Sequence, residues 1–263
     1  MMDSMREVAA AMSARARAQE IIANNLANMS TSGFRRLRVA FATELAGAAG
    51  VPGQGAPGTP GAEAAPEAGN LPSPPPAPAS PELLLRTHLD LTPAPPELTG
   101  QPSDVAIRGR GFFVIETERG PRYTRDGSFT VNAAGELAHR SGGAVAGDGG
   151  GAIQGGEAGF HIDERGAVVA GGAEVGRLQV VDFPDEVELA PEGAGLLQTD
   201  AVPEPIASPD LLPGHAEGAN VDPVLEMVTM MDSFRQFEAA GHAIRAADES
   251  LGALLDTTRG TLR

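Results

Sequence analysis

Proline is spread so unevenly along this chain that it constrains the architecture before any other feature is read. Of the 22 Pro, only Pro223 lies outside residues 46–216. Proline has no backbone N–H and clashes with the preceding helical turn, so a long helix cannot run through such a stretch. The two ends are the places where long helices fit. The middle must be built from short strands, turns and linkers, and most of the 34 Gly lie there too.

Residues 1–45 predict a helix. Met5, Val8, Met12, Ile22, Leu26 and Met29 follow alternating three- and four-residue steps, with Arg15 and Gln19 in the intervening positions. Ala9, Ala10, Ala11, Ala14, Ala16 and Ala18 raise helix propensity. Ser30-Thr31-Ser32-Gly33 stops the run, with Gly33 suited to a left-handed C-terminal conformation. Taken alone, this segment fits an amphipathic helix on a core or a coiled-coil strand.

Residues 217–263 carry a second helical pattern: Met227, Met230, Phe234, Phe237, Gly241, Ile244, Asp248, Leu251 and Leu255. Asn220 or Asp222 suits the cap, with Pro223 at the first helical position. The first segment holds six Arg against four acids, the last four Arg against eight. Opposite charge and a shared heptad register predict that the helices pair as a coiled coil. Neither helix has the local packing to stand alone, so both ends are expected to be mobile in a free subunit while the β domain is folded.

Residues 46–84 are rich in Pro, Ala and Gly and bury too little apolar surface to offset their ordering entropy. They read as a linker or insert of polyproline character, with a Pro-rich docking site as the minority alternative. Residues 85–216 read as β. Val105-Ala106-Ile107, Phe112-Phe113-Val114-Ile115, Phe129-Thr130-Val131, Val168-Val169 and Leu178-Gln179-Val180-Val181 are short apolar runs. Asp126-Gly127, Ala134-Gly135, Gly142-Gly143, Arg165-Gly166 and Gly171-Gly172 punctuate them as turns, and Asp126-Gly127 is expected to be a hairpin turn between its flanking strands. The fold class is therefore α+β: terminal helices pairing as a coiled coil around a mainly antiparallel β domain, itself a sandwich or open barrel.

Composition excludes several functions. With no Cys, the chain has no disulfide, thiolate zinc site or thiol nucleophile. A net charge of −16 opposes nucleic-acid binding. No apolar run approaches the ~20 residues of a membrane helix. No basic n-region precedes an apolar h-region, against a cleaved signal.

Candidate chemistry is sparse. Gly109-Arg110-Gly111 lacks the third glycine and the following helix of a dinucleotide loop, and a positive φ is its simpler reason. His161 and Asp163 project to one strand face without a third metal ligand. Asp182, Asp185, Glu186 and Glu188 form an acidic edge, or the paired carboxylates of a secreted β-rich glycan hydrolase. No nucleophile is marked with its base, so no catalytic residue, cofactor or metal is assigned.

Several segments together resemble the bacterial flagellar rod and hook protein family. Asn24-Asn25-Leu26-Ala27-Asn28-Met29-Ser30-Thr31-Ser32-Gly33-Phe34-Arg35-Arg36 resembles its N-terminal signature, Asn-x-x-Asn-x-x-Thr-x-Gly-[Tyr/Phe]-[Lys/Arg]. Residues 104–113, 123–129, 132–137 and 175–178 resemble its central segments. Glu217-Gly218-Ala219-Asn220-Val221-Asp222 with Arg235-Gln236-Phe237-Glu238 resembles the C-terminal signature.

The resemblance implies a non-enzymatic structural subunit of the basal-body rod, closer to the proximal than the distal rod type. It implies that terminal helices of neighbouring subunits pack around an export channel, with the β domain outward. The implied partners are copies of itself, other rod proteins and the flagellar type III export apparatus, in the periplasmic space, without signal cleavage. A distal-rod or hook-type axial protein is the alternative. Asn24, Asn28, Thr31, Gly33 and Phe34 would shape the turn ending the first helix. Asn220, Val221, Arg235, Phe237 and Glu238 would serve the C-terminal signature. Arg235 and Glu238 are spaced to pair on one helix face, and Arg235 is also placed to meet a neighbouring subunit.

Overall fold

A computed structural model describes residues 2–44, 82–156, 159–184 and 187–260. Most of the 46–84 insert lies outside the described residues. The chain divides into two compact units: Met1–Ala16, Phe41–Arg86 and Phe237–Arg263 form one, and Arg17–Ala40 with Thr87–Gln236 the other. The boundary falls inside both terminal helices, so residues 17–40 and 217–236 belong with the β domain rather than with detached ends.

Helix α1 spans Met2–Ala27 and α2 spans Pro223–Gly260. Between them run β1 (Leu37–Glu44), β2 (Glu82–Leu89), β3 (Pro96–Leu98), β4 (Val105–Ile107), β5 (Phe112–Thr117) and β6 (Gly120–Thr124). Then come β7 (Phe129–Val131), β8 (Leu137–His139), β9 (Ala144–Val145), β10 (Phe160–Ile162), β11 (Ala167–Ala170) and β12 (Ala173–Arg177). The last are β13 (Val180–Asp182), β14 (Ala190–Gly193), β15 (Leu196–Gln198), β16 (Glu204–Pro205), β17 (Leu211–Pro213) and β18 (His215–Glu217).

The class is α+β, and the main sheet has nine strands in the order β14-β15-β6-β5-β9-β8-β7, with β13 joining β5 to β16. Smaller sheets are β10-β11-β12, β17-β4, β18-β3 and β1-β2. Strand β1, which the sequence left in the N-terminal helical segment, pairs with β2 across the insert.

Strand β5 explains where the core sits. Its side chains alternate, and both faces are covered. Phe113 and Ile115 enter one apolar cluster with Val105, Phe129, Leu137 and Val168. Phe112 and Val114 enter a second with Tyr123, Val181 and Phe183. Phe113 meets Phe129 edge-on, with ring centroids 5.2 Å apart.

Two local expectations are corrected. Asp126-Gly127 is not a hairpin turn, because β6 pairs with β5 and β15 while β7 pairs with β8. It is a crossing between strands. Glycine is needed there because a Cβ on Gly127 would lie 1.8 Å from the Val105 carbonyl oxygen. The apolar seams are also shifted. On α1 the buried stripe is Ala14, Ala18, Ile22 and Asn25, while Met29 is exposed. On α2 Glu226 is buried and Met230, Ser233, Phe237 and Ala240 are half-buried, while Met227 and Phe234 face outward. Ile22, Met230, Phe237 and Ile244 keep the sheltered places that spacing gave them, while small side chains and partnered polar groups take others that it had given to large apolar residues.

Candidate functional site

Both signature segments meet on the β domain, within the unit of residues 17–40 and 87–236. Helix α1 ends in a turn fastened by Asn28: its amide donates to the Asn24 carbonyl (2.8 Å), and its own carbonyl accepts the Thr31 N–H (3.0 Å). Thr31 Oγ1 donates to Asn28 Oδ1 (3.3 Å), and the Thr31 carbonyl accepts the Phe34 N–H (3.2 Å). Gly33 takes φ +67°, and a Cβ there would sit 2.2 Å from the backbone nitrogen of Asp126. Its glycine serves both conformation and close approach.

Asn24 itself is exposed and, among the described residues, contributes its carbonyl to the turn. The side chain that matters is Asn25, 1% exposed, whose Oδ1 accepts the Leu37 N–H (3.0 Å) and whose amide donates to the Leu37 carbonyl (2.9 Å). The signature's own three-residue spacing, counted back from Thr31 and Asn28, selects residue 25. That signal was present in the sequence.

The turn is locked by residues from far along the chain. The Gly33 N–H donates to the Glu217 carbonyl (2.8 Å). Arg35, buried, pairs its guanidinium with the Glu217 carboxylate, which also accepts the Ala94 N–H (2.9 Å) and faces Arg125 Nη1 (3.4 Å). Arg125 donates from Nη2 to the Gly109 carbonyl (2.7 Å) and lies over the Phe112 ring. Burial, with Arg35 nearby, pulls the Arg125 pKa down to about 10, while Glu217 opposes that shift.

Asn220 ties three segments together. Its N–H donates to the Phe34 carbonyl (3.3 Å), and its Oδ1 accepts the Arg36 N–H (2.7 Å). Its amide donates to the carbonyls of Asp90 (2.7 Å) and Thr92 (3.1 Å). Asn220 is thus committed to the junction, and Asp222 caps α2, accepting the N–H groups of Val224 and Leu225. Arg36 also pairs with buried Glu226 (3.3 Å) on the first turn of α2.

Beneath the turn, Asp126 is fully buried. It accepts the Ser128 N–H and faces His139 Nε2 (3.2 Å) and Arg140 Nε (3.0 Å). His139 Nδ1 accepts the Ser141 N–H, which assigns the ring proton to Nε2, donating to Asp126. Arg140 reaches on to the Ser32 carbonyl (3.4 Å).

Other predicted residues lie apart from this junction. Val221 is half-buried beside Asn220. Arg235 and Glu238 are exposed and form no ion pair with each other among the described residues, and Phe237 is half-buried. Gly109 and Gly111 both take positive φ. Asp182 pairs with Arg110 (2.9 Å), and Asp185 and Glu186 lie outside the described residues. Asp163 spends its carboxylate on the Arg165 and Ala167 N–H groups. Among the described residues, no group of three or more His, Asp or Glu is arranged to hold a metal ion, and no helix is long and apolar enough to cross a membrane.

Interlocked backbone turns and buried ion pairs make this a structural junction, which ties the end of α1 and the start of α2 to the β domain. Three family models match in order: "Flagella basal body rod protein" over residues 6–35, "Flagellar hook protein FlgE/F/G D1 domain" over 106–170 and "Flagellar basal body rod FlgEFG protein C-terminal" over 212–257. A flagellar basal-body rod protein FlgF of Caulobacter vibrioides is 30% identical over 89% of this chain and 91% of its own length. FlgF of Escherichia coli is 30% identical over 89% of each chain, and FlgG of Agrobacterium fabrum is 31% identical over 94% of this chain and 96% of its own. The chain belongs to the flagellar basal-body rod protein family.

Proposed function

We propose that this chain is a proximal-rod subunit of the flagellar basal body, assembling with copies of itself and with other rod proteins through its terminal helices. In this reading the helices pair as a coiled coil in the assembled rod and line the export channel. The β domain faces outward, and the rod stands in the periplasmic space. The subunit has no catalytic activity and reaches the rod through the type III export apparatus without signal cleavage. Assembly then involves Asn28, Thr31, Gly33 and Phe34 at the first turn, and Asn220, Val221, Arg235, Phe237 and Glu238 at the second signature.

The observation that carries the reading is the junction itself. The N-terminal signature turn, the start of α2 and the β domain are fastened to one another through Glu217 and Asn220. A subunit that transmits torque needs its helical ends tied firmly to its body. Exposed Val224, Leu225, Met227, Val228, Met231 and Phe234 on α2 further suit a helix that is covered on assembly. The proximal assignment rests on Met230-Met231-Asp232-Ser233-Phe234-Arg235-Gln236-Phe237-Glu238 and on Ala247-Asp248-Glu249.

The test is deletion of the gene, followed by motility assay and basal-body isolation. Rods should be missing or should stop short of full proximal length, and motility should be lost. Complete rods without this chain would overturn the reading. Rods that reach full proximal length but lack the distal segment would assign it to the distal type instead.

A further inference from the structure

Arg35 and Arg125 approach the junction from different stretches of chain and bury charge at the same place. Their side chains are 1% and 4% exposed, and Glu217, also 1% exposed, is the acid that pairs with each among the described residues. Arg35 Nε and Nη1 and Arg125 Nε have no hydrogen-bond partner among the described residues. Two buried cations therefore share one anion. Removing that anion leaves two like charges out of water and close together, the costliest arrangement of the three.

The apolar core does not depend on this contact. Neither buried cluster contains a residue from 17–40 or from beyond Leu211. The strands can pack while the signature turn is still away. Closing Gly33–Arg36 onto Arg125–Asp126, by contrast, brings Arg35 to Arg125, and that closure is favourable only when Glu217 is in place between them. Asn220, three residues later, adds two hydrogen bonds to the same closure, at Phe34 and Arg36, and anchors itself to the Asp90 and Thr92 carbonyls with two more.

We infer that Glu217 is a completion latch: the N-terminal signature docks on the β domain only after the C-terminal segment has closed beside it. A chain that is incomplete, or whose C-terminal segment is detached, keeps its N-terminal signature undocked over a folded β core. Only a finished chain presents both ends in the geometry of the junction. This is a property of the single chain and stands whether or not it is a rod subunit.

Hydrogen exchange read by mass spectrometry on the full-length protein tests the latch. In Glu217→Gln, amides in residues 28–38 and 218–226 should lose protection by about a hundredfold, the scale expected for an orphaned buried charge. Amides in 112–117 and 137–139 should keep theirs within about threefold. A second variant carries Arg35→Met and Arg125→Met together with Glu217→Gln. With all three charges gone it should recover protection in 28–38 to within about tenfold of the parent. Parental protection of 28–38 in Glu217→Gln would overturn the latch. So would an equal loss across 112–117, which would make Glu217 an ordinary part of the global core. If Glu217→Gln does not fold, the triple variant decides: recovery of the fold supports the charge latch, and failure to recover overturns it.

Discussion

The β core and the junction hold one unit together by opposite means. The core is apolar, redundant and local in pattern: Phe113 and Ile115 face one cluster, Phe112 and Val114 the other, and neighbours share the load. The junction is polar and singular. The bonds that lock it join residues far apart in the chain, Arg35 to Glu217 across 182 positions and Asn220 to Asp90 across 130. The core decides that the domain folds. The junction decides where the two helices leave it.

If the contrast is right, damage to the core should be felt everywhere, while damage to the junction should stay there. Phe113→Ala, at 0% exposure, should cost about 3–5 kcal/mol and lower the urea midpoint of the whole domain. Loss confined to one strand pair would break the distinction. Gly33→Ala comes next, at roughly 2–4 kcal/mol, because it meets both a positive φ and the Asp126 backbone. Gly100 has φ +70° with nothing within 4 Å of a built Cβ, so Gly100→Ala should cost only about 1 kcal/mol in the same melt. Equal costs would mean that close approach contributes nothing at residue 33.

Asn25→Ala removes both bonds to Leu37 and should cost about 2 kcal/mol, with faster amide exchange at the start of β1. Asn24→Ala should stay within about 0.5 kcal/mol. A further effect concerns pH. Burial pushes the Asp90 carboxyl up, but the bonds from Thr92 and Arg38 outweigh it and hold its pKa at about 2, below the ordinary 3.8. A lowered carboxyl stabilises fully above its ordinary value, and that stability is lost as pH falls from about 4 through about 2. Asp90→Asn should remove about 1 kcal/mol at neutral pH, discounted for the half-exposed Arg38, and flatten the acid limb of a stability curve. An unchanged acid limb would show that Asp90 is not coupled to folding.

Much of the core was legible because a strand buried on both faces reads as an unbroken apolar run, as Phe112–Ile115 does. The α+β class and the helix at each end followed from where proline is absent. The helix faces were legible only in part: Ile22, Met230 and Phe237 are sheltered where spacing put them, but α1 also shelters Ala14, Ala18 and Asn25, which a count of large apolar residues passes over. Within the junction, Gly33, Asn28 and Asn220 were marked by local chemistry and by the signatures. Arg35, Arg125 and Glu217 stood inside the resembling segments but were given no role, since the pairing of one charged residue from each of three distant segments shows only when the chain brings them together. The 126–127 crossing was taken for a hairpin because Asp-Gly signals a turn without naming the strands it joins.

The Asn25 side chain has one more consequence. Its amide offers Leu37 one donor and one acceptor, the same pair that a peptide group on a neighbouring strand would offer. The helix thus ends by impersonating a strand residue, and the first residue of β1 meets its expected partner in a side chain. That substitution fixes the start of β1 in phase with the helix and satisfies at Leu37 a donor and an acceptor that would otherwise be open to another chain.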